Sequence, residues 1–268
     1  AKNVGCLSHY SILEIGGDLV FLAPDGIRSV AGTARIGDVE LGSVSRQIQS
    51  VISDIASSAN SFIITSCILR TKAQYRLFYC TTAASTATSK GVIGTLTKNG
   101  FEWSETLGIQ APALTSGFNS DGIEKIFHGD NLGYIYTHDS GNSFFSDGTA
   151  LDIESKYQTP NFDFGDAGTR KTLKYAKISI TPEGSVEPSF RIRYDYEDNN
   201  IPQPTETNIT NILLPSLFGT GVFGTDPMVR KTITGSGHAA NFRIRSNDQK
   251  SAYAINGMYI DYVPSGRR

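Results

Sequence analysis

The sequence is poor in residues that staple, coordinate or anchor. Its 268 residues include three cysteines, Cys6, Cys67 and Cys80. So few, so scattered, they exclude a disulfide scaffold and a cysteine-built zinc site. Cys67 and Cys80 end two strand-like runs, and a hairpin folded near Ala73 could set them opposite each other. Buried reduced thiols are the simpler reading, which points to synthesis in a reducing cytoplasm. An excess of one charge is also missing, with 24 Lys and Arg against 26 Asp and Glu. That balance does not demand a nucleic-acid or membrane partner. No apolar run approaches the roughly 20 residues that cross a bilayer, so no membrane anchor is expected. The opening "AKNVGCLSHYS" has no apolar segment of a signal peptide.

Catalytic signatures are missing too. His9, His128, His138 and His238 include no i, i+4 pair and no H-E-x-x-H. There is no G-x-S-x-G elbow, Walker loop or C-x-x-C. The glycine pair of "GSGHAANF" (235–242) precedes a strand and not a helix, which argues against a dinucleotide turn. "DGIEKIFHGD" (121–130) offers Asp121, Glu124, His128 and Asp130. A glycosidase needs two carboxylates about 5–10 Å apart, and nothing in the sequence sets a pair at that distance. Turn carboxylates on a solvated rim are the simpler reading. The expectation is a protein that is not an enzyme and holds no cofactor or metal.

What is present is β-structure. Runs rich in Val, Ile, Thr, Tyr and Phe alternate with Gly, Asn, Asp and Pro. "GGDLVFLAPDGIRSV" (16–30) predicts two strands around a Pro24-Asp25-Gly26 turn, the second starting at Ile27. "SFIITSCIL" (61–69) and "QYRLFYCTT" (74–82) predict a hairpin. "GVIGTLTKNGFEWSE" (91–105) carries Asn99-Gly100, a strong hairpin signal. Residues 123–148 predict three short strands. "SVSRQIQSVISDI" (43–55) is the exception: Val44, Ile48, Val51, Ile52 and Ile55 share one helical face, and Ser43 is placed to cap it. The fold class is therefore all-β: a partial or small β-propeller-like domain over 1–158, then a β-sandwich-like domain over 159–268, with one short amphipathic helix near 43–55. The stretch 198–230 reads as a long loop or arm. Its apolar Ile212, Leu213, Leu214, Leu217 and Phe218 suit contact with a neighbouring subunit.

The second domain holds the most patterned charges. In "FRIRYDY", Phe190, Ile192, Tyr194 and Tyr196 alternate with Arg191, Arg193 and Asp195; in "NFRIR", Phe242 and Ile244 alternate with Arg243 and Arg245. If the two strands are neighbours, their arginines make a basic stripe suited to phosphate or acidic partners, since like charges directly opposite repel. The alternative is a solvated face that Asp195 and other acids neutralise. Arg170, Lys171 and Lys174 add to the candidate basic surface, as do Arg267 and Arg268.

Several segments come in a fixed order: the opening hairpin, "GFEW" (100–103), "GDNLGYIYTHDSG" (129–141), "KYQTPNFDFGDAGTRKTLKYAKISI" (156–180), "IRYDYED" (192–198) and the tail "NFRIRSND…YAINGMYIDYVPSGRR". This set resembles the central-to-C-terminal part of the tail tubular, or nozzle, proteins of short-tailed bacteriophages. The resemblance implies a structural virion protein made in the host bacterial cytoplasm. It would be a homo-oligomeric ring, commonly a hexamer, below the portal and its adaptor. Such a ring extends the channel for DNA retention and ejection, contacts DNA transiently and without sequence preference, and anchors tail fibres. Members are usually longer, so the chain resembles a part of one, a reduced form with an open β-domain, or a form that another chain completes. "THDSGNSF" (137–144) also resembles the Asp-box turn of propeller proteins, with Thr137, Asp139, Gly141 and Phe144 at its positions and the Asp carboxylate expected to cap turn N–H groups. With Trp103, Tyr134, Tyr136 and Phe145, it supports a second expectation, a carbohydrate-binding or sialidase-like propeller used in receptor recognition.

Overall fold

The computed structural model describes residues 5–31, 43–81, 89–146, 148–209 and 228–267. The fold is all-β, and the described elements include one short α-helix and a few short 3₁₀ turns. It divides into two compact units, Ala1–Ser140 with Ser146–Gly148, and Gly141–Phe145 with Thr149–Arg268.

In the first unit each strand pairs antiparallel with its neighbour in sequence. Strands β1 (Leu13–Ile15), β2 (Asp18–Ala23) and β3 (Gly26–Ser29) form one sheet. Helix α1 (Gln49–Ser57) follows. Next come β4 (Ile63–Leu69), β5 (Gln74–Cys80), β6 (Lys90–Thr97) and β7 (Gly100–Leu107) in a second sheet, and β8 (Ala113–Phe118), β9 (Glu124–Gly129) and β10 (Ile135–Thr137) in a third. Three small meanders result, and the described residues close no barrel.

The core of this unit joins Val20, Leu22 and Ile27 of the first sheet to Ile64, Ile68, Tyr75, Leu77 and Val92 of the second. Ile52 and Ile55 of α1 are fully buried in it. Each such side chain contributes about 1.5–3 kcal/mol by leaving water. The apolar face predicted for the helix is therefore the packed one, but the helix starts later than Ser43. Ser43 forms an isolated bridge with Arg28, and the Ser45 hydroxyl accepts the Ile27 N–H at 2.8 Å. A 3₁₀ turn, Arg46–Ile48, leads into α1 without a side-chain cap.

The β6–β7 turn sits one residue earlier than Asn99-Gly100 suggests. Thr97 pairs with Gly100, so Lys98 and Asn99 are the loop. Gly100 alone carries the positive φ, 109°, just after it. That pattern differs from a type I′ turn, which needs positive φ at both central residues. Cys67 pairs with Arg76 and Cys80 with Ile63, so the two thiols are not opposite each other; both are free and buried.

Short strands β11 (Phe144–Ser146) and β12 (Thr149–Leu151) pair at the passage between units. The second unit has β13 (Ile153–Gln158), β14 (Thr169–Pro182), β15 (Ser189–Tyr194), β16 (Thr207–Asn208), β17 (Met228–Thr232), β18 (Ser236–Gly237), β19 (Ala240–Asp248) and β20 (Tyr253–Arg267). One sheet runs β13-β19-β15-β16; in the other, β14 pairs with β17 and β18 on one side and with β20 on the other. Their facing sides share one core, Leu173, Ile178 and Ile180 against Phe190, Ile192, Phe242 and Ile244. The Phe190 and Phe242 rings stack at 6.3 Å. This is a two-layer sandwich. The division falls near residue 148 and not 158, because β13 pairs along its whole length with β19.

Candidate functional site

The expected arginine stripe is real as a placement. Strands β15 and β19 are neighbours, and Arg191 lies directly opposite Arg243. Burial, then the nearby Arg243 and Arg193, push the Arg191 guanidinium below its ordinary pKa. Such a pair is unfavourable unless acids answer it, and here they do. Glu197 reaches Arg191 at 3.1 Å, Glu206 reaches Arg243 at 2.5 Å and Glu154 reaches Arg245 at 2.9 Å. Burial pushes the Glu206 carboxyl up. The Ser189 hydroxyl and the two guanidiniums outweigh it, so Glu206 sits below the usual range. Arg193 donates to the Pro204 carbonyl at 2.6 Å. The segment 195–209 thus lies over the arginines, tied down further by Gln203, which bonds the backbone of Tyr194.

Residues 198–209 are in this way part of the second unit, and 228–230 belong to β17. Ile212, Leu213, Leu214, Leu217 and Phe218, and Arg268, lie outside the described residues. Asp195 is not among the neutralising acids; its Oδ1 accepts the His238 and Ala239 N–H groups at 2.6 and 2.9 Å. Nor does Tyr196 continue the inward row. Asp195, Tyr196 and Glu197 all take positive φ (48°, 60° and 65°), and the Tyr196 side chain points outward, 75 % exposed.

The other expected cations separate. Lys171 is 3 % exposed and donates to the carbonyls of Asp163, Asp166 and His238, so it stitches the 159–168 loop and leaves the surface. Arg170 holds Ser236 at 2.9 Å. Lys174 is exposed on β14. The glycines of "GSGH" serve a ring and not a phosphate: a Cβ at Gly235 or Gly237 would lie 2.8 Å from the Tyr194 ring.

The first unit contains a polar cluster that motif spacing does not reveal. His128 and His138 share a hydrogen bond of 2.7 Å between Nδ1 and Nε2. Tyr136 stacks on His128, and Phe78 meets His138 edge-on. Burial lowers both imidazoles to about 4, helped at His138 by His128 and Arg76. Beside them Asp139 takes a two-pronged contact from Arg76, at 2.7 and 3.0 Å, and another from Lys72 at 2.8 Å. These cations hold its carboxyl well below the usual range against the effect of burial. The carboxylate therefore binds side chains of β5 and its turn, where the Asp-box resemblance implied caps on turn N–H groups. Gly141 does take positive φ, 77°. The signal available in the sequence was strand register: His128 pairs with Tyr136, and His138 lies two residues further, on the same face.

The remaining carboxylates of 121–130 have structural tasks. Glu124 is buried, accepts the Thr71 N–H at 2.9 Å and faces Arg70 at 3.6 Å. Asp130 accepts the Leu132 and Tyr134 N–H groups and the Tyr136 hydroxyl. Asp121 lies in a turn closed by the Asn119 side chain. Of the four aromatics, Trp103 is packed inward with its indole N–H on the Val44 carbonyl, while Tyr134 and Phe145 are 45 % and 49 % exposed. Among the described residues no group of three His, Cys, Asp or Glu is arranged to hold a metal ion. No helix there is long and apolar enough to cross a membrane. No protein-family model matches the chain, and no curated protein matches it significantly.

Proposed function

We propose that this chain is a ring-forming structural subunit of a short phage tail, a nozzle or tail-tube component that prolongs the portal–adaptor channel and carries fibres. One observation supports the reading above others: the segments that carry the resemblance build the framework. The opening stretch forms β2 and β3, where the buried Arg28 clasps Asp25 of the turn at 2.6 and 2.9 Å. "KYQTPNFDFGDAGTRKTLKYAKISI" supplies most of β14 and the loop stitched by Lys171. "IRYDYED" forms the end of β15 and the left-handed turn, and the tail forms β19 and β20. Two deeply buried cations, Arg28 and Lys171, lie in these segments and bond to carboxylate or carbonyl oxygens within them.

The test is assembly. Purified protein is run on size exclusion with light scattering, alone and with a portal–adaptor complex, then imaged by cryo-electron microscopy without imposed symmetry. A closed ring with an axial channel is expected. A chain that stays monomeric at high concentration and also fails to join the complex would remove the proposal.

A further inference from the structure

The two sheets of the second unit treat opposed cations differently. On β15 and β19, each of Arg191 and Arg243 has a glutamate partner. On the other sheet, Lys177 of β14 lies directly opposite Arg230 of β17. Both are exposed, and among the described residues neither has a carboxylate in ion-pair range. Both sit over one ring instead, with Arg230 3.9 Å and Lys177 5.8 Å from the centre of Tyr175. Cation–π contact of this kind orients cations without neutralising them. On the far side of Lys177, in the same cross-strand row, is Tyr259 of β20, 64 % exposed. Tyr175, Lys177, Tyr259 and Asp261 border a shallow depression of about 270 Å³.

Strand β20 adds a second, independent feature. It spans 15 residues and, among the described residues, pairs with β14 alone. Proline at 264 agrees with an edge position, since it has no N–H for a second partner. Monomeric proteins shield long edges with lysines and inward charges. From Tyr253 to Val263, β20 has one charge, Asp261, and no lysine or arginine. Met258 and Ile260 turn into the core, Tyr259 between them is exposed, and no described strand pairs with the other edge of β20.

We infer that β20 is a docking edge for an extended acidic segment of another polypeptide, which adds as a strand beside β20 and sets its carboxylates toward the Lys177–Arg230 pair across Tyr259. Backbone pairing supplies the register and the cations supply the selection. A nucleic acid fits less well, because it has no backbone amides to pair with the strand edge. The inference does not depend on the ring reading.

The experiment uses the full chain and three probes: a peptide of about ten residues alternating Glu and Val, its Lys–Val counterpart, and an oligothymidylate. Fluorescence anisotropy reads binding, and hydrogen exchange reads the amides of 253–263. The Glu–Val peptide is expected to bind, to slow exchange along β20, and to lose about tenfold in affinity in Lys177→Glu/Arg230→Glu. Both substitutions are on exposed side chains, and an unchanged melting curve shows that the fold is kept. Equal binding by the double variant, no protection of 253–263, or equal binding of the Lys–Val peptide each overturns the inference. Oligothymidylate binding lost in the same variant replaces it with a nucleic-acid surface. Sedimentation showing self-association through these residues replaces it with a contact between copies.

Discussion

At the scale of single residues, the informative side chains are polar groups held inside. Arg76, with its side chain 4 % exposed, is acceptable there because Asp139 and Gln74 together satisfy its guanidinium. Burying the cation without them would cost several kcal/mol. The histidine pair is subject to the same constraint, with a consequence for pH. One ring must donate and the other accept, and burial lowers both to about 4 from an ordinary value near 6.5. As pH falls through 6.5, the unfolded chain takes up protons that the folded chain refuses. Stability is therefore complete above about pH 6.5 and declines as pH falls toward 4. Urea midpoints measured across this window should drop on the acid side, and His128→Gln/His138→Gln should flatten the slope. A profile equally steep in the double variant would assign the loss to other groups.

At the scale of elements, the strands follow from alternation, and the irregular joints follow from local hydrogen bonding. Strand β15 stops at Tyr194 because Asp195 turns to accept the His238 and Ala239 N–H groups. Three successive residues then take left-handed geometry, which costs an L-residue about 1–2 kcal/mol each. The exposed Tyr196 gives back little packing in return. Tyr196→Gly should therefore raise stability by about 1 kcal/mol, read as a higher urea midpoint at constant slope. A loss of stability would mean that the tyrosine ring makes a contact worth more than its backbone strain. The β6–β7 hairpin illustrates the same division: the strands are legible from Val92, Ile93 and Leu96, whereas the loop position depends on Thr97, whose hydroxyl accepts the Asn99 N–H and donates to the Gly100 carbonyl.

At the scale of the whole molecule, two units with separate cores predict two cooperative transitions. Phe242→Ala removes a ring from the second core only and should lower one transition by about 3–5 kcal/mol while the other stays in place. Calorimetry in which both move together would show that the units unfold as one. The all-β class, most strand positions, the packed face of α1 and the alternation of Arg191 and Arg193 with Phe190 and Ile192 were settled by the sequence itself, because burial with a period of two or 3.6 is a local property of the chain. Tertiary structure alone decided the partners. It set Arg191 opposite Arg243 under Glu206, drew Lys171 inward, joined His128 to His138, and moved β13 into the second unit. Those outcomes depend on strand register and on the fold-back of 195–209, which bring together residues far apart in the chain and leave no periodic trace in it.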